Sequence, residues 1–330
     1  MSHSAQTTAA ASRRDASSIL STIISPPPTP DTPPGLPATG RAGRNLPAAV
    51  GVAVVLIGLV LASLLFYKVA FVGVAALAVC GALWELAGAL ARKNIALPLP
   101  PLWVGTIGVL VSAWAIGPEA MLGAYAATAG AAFLWCFLEQ AEAEAGTELE
   151  HTHARIERSW VTDEHRRSRS RTAAAAVFAA TYLPFLAGFS ILLLSQANGV
   201  GKVLLLIALP VANDTGGWLA GITFGKHPMA PSVSPKKSWE GFAGSILAAA
   251  AGGAWGVSML GGSWWQGVIL GVLTVIVSTL GDLGESLLKR DIGLKDMGTL
   301  LPGHGGLMDR LDSILVAAPV IYLFSLIALR

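Results

Sequence analysis

The sequence predicts an all-α polytopic membrane protein of about nine transmembrane helices, with its N-terminus on the cytoplasmic side. Three observations carry that expectation. Hydrophobic residues make up 53% of the 330 and charged residues only 13%, with a mean hydropathy of +0.62, too apolar for an ordinary soluble domain. From Leu46 onward, apolar runs recur at close to the ~20 residues that a helix needs to cross a hydrocarbon core of ~30 Å. The basic residues gather in alternate gaps between those runs, the pattern left by retention of positive charge on one side of a membrane.

Taken in chain order, residues 1–46 contain SPPPTPDTPPGLP. A segment this rich in proline and poor in apolar periodicity cannot offset the entropy of ordering, so a disordered cytoplasmic tail is expected. The first apolar run starts too late for a secretory signal, which leaves targeting to the spans themselves. Those are expected at 47–66, 69–91, 101–117, 120–138, 173–195, 201–223, 241–260, 264–281 and 312–329. Each run is continuous rather than alternating, and a helix satisfies its own backbone in lipid, so helices are preferred to strands. The abundance of Gly and Ala suits close helix packing. With the N-terminus inside, Lys68, Lys202 and Arg330 are the basic residues, out of 22, that fall outside. Cys80 and Cys136 lie within apolar runs and read as core thiols rather than a disulfide framework.

The organisation that follows is a tail (1–46), an N-terminal group of spans (47–138), a polar cytoplasmic loop (139–171) and a C-terminal membrane region (172–330). The loop opens acidic (EQAEAEAGTELE) and closes basic (HRRSRSR), a solvated segment whose positive end fixes topology beside the lipid head groups. His151 and His153 lack the accompanying ligands that a metal site needs. The net charge of +2 gives no argument for nucleic-acid binding. Asp214 and Glu85 lie inside spans, where an acid is costly and raises the alternative of a secondary transporter. The absence of repeated halves and the placement of most charge outside the midplane count against it. Glu85 has no partner legible in the sequence and is left unassigned.

Chemistry-bearing residues concentrate in the last third. NDTGGW, Asn213 to Trp218, places Asp214 within a span. SPKKSWEG, Ser234 to Gly241, reads as a helix start with Ser234 as N-cap and Pro235 at the first position, so that Lys236 and Lys237 invite phosphate. In GDLGESLLKR, Asp282, Glu285, Ser286 and Lys289 recur at helical spacing and share one face. After a turn eased by Pro302, Gly303, Gly305 and Gly306, Asp309 and Asp312 share a face of the last span. Lys289, Arg290, Lys295, His304 and Arg310 stand among these acids, a mixture of hard oxygen ligands and fixed cations suited to Mg²⁺ with a polyphosphate.

The stretch SLLKRxxxxKDxGxxLPxHGGLxDRLD, Ser286 to Asp312, together with PKKSWEG and GDLGES, resembles the phosphatidate cytidylyltransferase family over most of residues 47–330. Ser238 stands where relatives carry Thr, and Gly217–Trp218 replaces a small residue followed by Tyr or Phe. The resemblance implies a nucleotidyltransferase that converts CTP and phosphatidic acid to CDP-diacylglycerol and pyrophosphate in the cytoplasmic membrane of a bacterium, working among membrane lipid and as a homodimer. It implies two cation sites, Mg²⁺ at one and either Mg²⁺ or a different cation at the second, with Asp282 and Asp309 as ligands and Asp312 and Ser286 beside them. Lys289, Arg290, Lys295 and Arg310 are expected to clamp the triphosphate, and His304 to donate to phosphate or the metal shell. Asp214, Trp218, Lys236 and Lys237 are expected at the lipid entrance. The near alternative is a CTP-dependent kinase acting on a lipid alcohol.

Overall fold

The computed structural model describes Pro26, Thr29 and residues 46–148, 158–298, 300–301 and 305–329. Helices dominate: α1 (Leu46–Phe66), α2 (Lys68–Ala91), α3 (Leu99–Ala115), α4 (Pro118–Glu148), α5 (Arg158–Ala180), α6 (Leu186–Ser195), α7 (Gly199–Phe224), α8 (Trp239–Met259), α9 (Trp264–Ile292) and α10 (Met308–Ala328). Among the described residues, seven stretches are long and apolar enough to cross a membrane: Lys68–Ala91, Pro118–Leu138, Arg169–Ser195, Gly199–Phe224, Trp239–Met259, Trp264–Ile292 and Met308–Ala328. Gly51–Phe66 and Leu99–Ala115 are shorter apolar helices. Each expected span has a helix at its position.

The breaks between helices have local causes. Prolines occupy the first positions of α3, where a missing N–H costs nothing. Gly117, at φ +125°, turns the chain into α4, a conformation that a side chain would resist. Between α5 and α6 the helix continues through a π-turn, Thr181–Phe185, that contains Pro184, whose lack of an N–H favours such a widening. Ser263 and Gln266 form a capping box at the start of α9, and Gly293 ends it in the left-handed conformation.

Three differences from the sequence reading bear on the site. Where a polar loop spanning 139–171 is expected, helix α4 continues to Glu148 and α5 begins at Arg158, since runs of Ala, Glu and Gln favour helix once outside lipid; His151 and His153 lie outside the described residues. Ser234 and Pro235 do not begin a helix. They open strand β2 (Ser234–Ser238), which pairs antiparallel with β1 (Pro228–Ala230), and the cap of α8 is Ser238, whose Oγ accepts from Gly241 N at 3.1 Å. A two-stranded ribbon is all edge, so Pro235 forfeits no central ladder bond. In the tail, Thr29 N donates to Gly88 O at 3.0 Å and its carbonyl accepts from Arg92 at 2.7 Å; the rest of the 1–46 tail assignment lies outside the described residues, apart from buried Pro26 and from Leu46, which begins α1.

The core runs through α2, α3, the π-turn, α6, α7 and α10, with Leu83, Leu86, Leu102, Leu110, Leu183, Ile191, Leu193 and Leu206 sealed inside. The α7–α8–α9 group packs differently, backbone against backbone. A methyl group added at Gly267 would overlap the Gly253 carbonyl, and one at Gly271 the Ala249 carbonyl. Glycine here is a condition of approach, as in other close crossings of membrane helices. This crossing and that of α9 with α10 bring the polar ends of α7, α8, α9 and α10 together with the hairpin.

Candidate active site

The site is assembled from the last turns of α7, the β1–β2 hairpin, the last turns of α9, the turn that follows it and the first turns of α10. Glu240, in the first turn of α8, fixes the hairpin: its Oε2 accepts from Lys226 N and His227 N at 3.2 Å each, and its Oε1 lies 2.5 Å from His227 Nδ1. Arg290 Nε reaches Val233 O at 3.5 Å from the other side. The two lysines of β2 are thereby held over the end of α9.

Helical spacing places Asp282 and Glu285 on one face of α9, and the crossing of α10 adds Asp312. Ligand oxygens of these three lie within 4.8 Å of one another. Neither carboxylate oxygen of Glu285 accepts a hydrogen bond among the described residues, and its side chain is 1% exposed. Asp312 Oδ1 accepts from Ser313 N at 2.6 Å. Two fixed cations flank the acids. Lys237 pairs with Asp282, and Lys289 lies 3.4 Å from Glu285 Oε2 and 3.0 Å from Asp309 Oδ1.

Asp309 has a second set of partners in the turn. Its Oδ2 accepts from Gly306 N at 2.9 Å and Met297 N at 3.2 Å. It therefore ties the turn to α10 while sharing Lys289 with the acidic cluster.

Two cavities flank this cluster. The first, of roughly 200 Å³, is lined by Asn213, Asp214, Trp218, Lys236, Lys237 and Asp282, with Met229 and Phe242 on its apolar side. Asn213 Nδ2 donates to Asp214 Oδ1 at 2.9 Å. The second, of roughly 220 Å³, gathers Ser286, Lys289, Arg290 and Lys295 from α9 and its turn with Ser234 and Lys236 from the hairpin. Lys236 belongs to both. One cavity is mixed polar and apolar, with an exposed tryptophan at its wall; the other is rich in cations and hydroxyls, a chemistry suited to phosphate oxygens.

The structure thus brings together most of the residues singled out in the sequence. Asp282 and Asp312 share the cluster, with Asp309 one lysine away; Ser286, Lys289, Arg290, Lys295 and Lys236 share the second cavity; Asp214, Lys237 and Asp282 share the first. Arg310 is exposed on the first turn of α10 and is not among the described lining residues of either cavity. His304 lies outside the described residues. Glu285 lay on the polar face read from the sequence but was not counted among the ligands, although its place three residues after Asp282 signals it.

The family model described as the cytidylyltransferase family matches residues 47–328. The chain belongs to the cytidylyltransferase family. It is similar to the phosphatidate cytidylyltransferase of Mycobacterium leprae (strain TN), 38% identical over 291 residues that cover 86% of this chain and 88% of that protein. It is 39% identical over 282 residues to the phosphatidate cytidylyltransferase of Mycobacterium bovis (strain ATCC BAA-935 / AF2122/97), covering 85% of this chain and 88% of the relative. The phosphatidate cytidylyltransferase of Brucella suis biovar 1 (strain 1330) is 42% identical over 149 residues, 43% of this chain.

Proposed function

We propose that this cytidylyltransferase makes CDP-diacylglycerol and pyrophosphate from CTP and phosphatidic acid. Family membership with relatives of that name gives the reaction, and the single structural observation that carries its placement is the pair of cavities meeting at Lys236 beside the Asp282, Glu285 and Asp312 carboxylates. The cation-rich cavity takes the CTP triphosphate, with Lys236, Lys289, Arg290 and Lys295 on its oxygens. The mixed cavity takes the phosphatidate head group, with Trp218, Met229 and Phe242 toward the lipid and Lys237 on the phosphate.

A phosphatidate oxygen attacks the α-phosphorus of CTP; the new P–O bond forms as the bond from the α-phosphorus to the β-bridging oxygen breaks, and pyrophosphate leaves. Phosphomonoesters have a second pKa near ~6, so the nucleophile is already largely dianionic and needs no strong base. The protein's contribution is positioning and electrostatics: two phosphates held on fixed lysines with water displaced from between them. Three converging carboxylates, one of them accepting no hydrogen bond among the described residues, fit a hard divalent cation. Asp282, Glu285 and Asp312 would hold Mg²⁺, a second cation would need Asp309 to give up part of its hold on Lys289 and the turn amides, and the metal would supply charge neutralisation at the phosphates.

In this proposal Gly51–Phe66 and Leu99–Ala115 join the seven longer apolar stretches to make nine spans, and the site faces the cytoplasm from a bacterial cytoplasmic membrane, a reading supported by the concentration of basic residues on that side and by the availability of CTP there. Assembly as a homodimer belongs to the same proposal. The test is conversion of labelled CTP and phosphatidic acid by purified protein in mixed micelles, with and without Mg²⁺, alongside Asp282→Asn and Asp309→Asn. Mg²⁺-dependent CDP-diacylglycerol from wild type and its loss in both variants supports the proposal. Phosphorylation of a lipid alcohol in its place would reassign the acceptor, and nucleotide-independent solute uptake into vesicles would overturn it.

A further inference from the structure

Glu85 sits in α2, far in sequence from every residue of the site, and is 2% exposed. Its carboxylate nevertheless ends inside the turn between α9 and α10. Oε1 accepts from Leu300 N at 3.1 Å and Oε2 from Met308 N at 3.0 Å. Met308 is the first residue of α10, and Leu307 before it contributes no side-chain cap. A helix N-terminus leaves N–H groups unpaired and carries partial positive charge, which a carboxylate answers on both counts. Glu85 thus caps α10 from another helix.

The glycines of the turn are shaped around it. A methyl group on Gly298 would overlap the Glu85 carboxyl group. One on Gly306 would lie 2.9 Å from Glu85 Oε2 and 2.7 Å from Asp309 Oδ2. Gly306 is therefore wedged between two carboxylates, one reaching in from α2 and one from α10, with the Gly298 amide 2.8 Å from the same methyl position, and a side chain there would have to displace them. Asp309 binds the amides of Met297 and Gly306 while Glu85 binds those of Leu300 and Met308. The turn is clamped through its backbone from both sides, and the same turn carries Lys295 into the cation-rich cavity.

We propose that Glu85 is a positioning residue for the cytidylyl transfer: by holding the amides of Leu300 and Met308 it sets the described part of the chain between α9 and α10, and with it Lys295, against the nucleotide cavity. This rests on the functional reading above. It also gives the N-terminal group of helices a part in the reaction, although among the described residues none of theirs lines either cavity.

Glu85→Gln is the direct test, since it keeps the volume, removes the charge and turns one acceptor into a donor facing an amide. Losing a hydrogen bond to a charged group in a buried setting corresponds to a loss of about ten-fold or more. In full-length protein in mixed micelles, Glu85→Gln is expected to raise the KM for CTP by about that factor, and to speed amide exchange in peptides covering 294–308 while peptides of α7 and α8 keep their protection. A reduced folded fraction alone lowers turnover with KM unchanged. Should Glu85→Gln fail to fold, Gly298→Ala displaces the carboxylate without deleting it and is expected to give the same local signature. Wild-type KM and exchange in Glu85→Gln overturn the proposal, as does loss of protection throughout the helices in both variants. Exchange is read without turnover, so absence of cytidylyltransferase activity in the wild type strikes the functional reading and leaves the clamp to be judged on exchange.

Discussion

Lys289→Met asks how much of the site's stability rests on one ammonium group. Lys289 Nζ lies 3.0 Å from Asp309 and 3.4 Å from Glu285, and the side chains are 15%, 9% and 1% exposed. At an effective dielectric near ~20, each contact is worth roughly 5 kcal/mol of gross attraction, most of it offset by desolvation. The informative quantity is the cost of removing one partner, because the Asp309 and Glu285 carboxyl groups then remain buried without the ammonium group that lies between them. Such losses run to about 3–5 kcal/mol, and in a chain of this size a midpoint falls by about 2 °C or somewhat less for each kcal/mol. A drop of about 5 °C or more is expected for Lys289→Met in detergent, measured at fixed scan rate without divalent cations. The double variant Lys289→Met with Glu285→Gln removes one of the two acids left without their cation and is expected to regain at least half of that loss while recovering no activity. A single variant as stable as wild type, or a double variant no more stable than the single, would refute the reasoning.

Lys236→Ala removes the wall common to both cavities and is expected to raise the KM for CTP and for phosphatidate together, by roughly ten-fold each, as loss of a charge-assisted phosphate contact predicts. Trp218→Ala, confined to the first cavity, is expected to raise the apparent KM for phosphatidate alone in mixed-micelle kinetics. Gly267→Leu drives a side chain into the Gly253 carbonyl across the α8–α9 crossing, and at least the ~1–3 kcal/mol of an overpacked core is expected as a lower thermal midpoint with both KM values preserved in the surviving fraction.

How much of this was legible in the sequence divides along the line between local and distant causes. A membrane helix must satisfy its backbone within itself and meet lipid with its side chains, so each apolar run announces its own helix. The expected starts at 47 and 264 fall within a residue of Leu46 and Trp264. The shared face of Asp282, Glu285, Ser286 and Lys289 was legible for the same reason, being a matter of helical period alone. The SPKKSWEG segment was misread because Ser and Pro fit a helix start and a short ribbon equally well, and the choice is made by β1 and by Glu240 reaching back to the hairpin. Glu85 was opaque because its partners are backbone amides, which have no letter in a sequence, and they lie 215 and 223 residues away.

That last case changes how the Ser286–Asp312 stretch is understood. As a string it resembles one continuous recognition element, yet its residues divide between two tasks. Ser286, Lys289, Arg290 and Lys295 line a cavity, whereas Gly298, Gly306 and Asp309 shape or hold the turn. A glycine in such a turn is commonly credited to backbone freedom, and Gly305, at φ +83°, does need it. Gly298 and Gly306 need something else, namely room for carboxylates that arrive from α2 and α10. The turn is therefore specified jointly by its own residues and by an acid in the N-terminal helices. The candidate site, for all that its motifs cluster in the last third, is held in part by the first, through the Glu85 contacts with Leu300 and Met308.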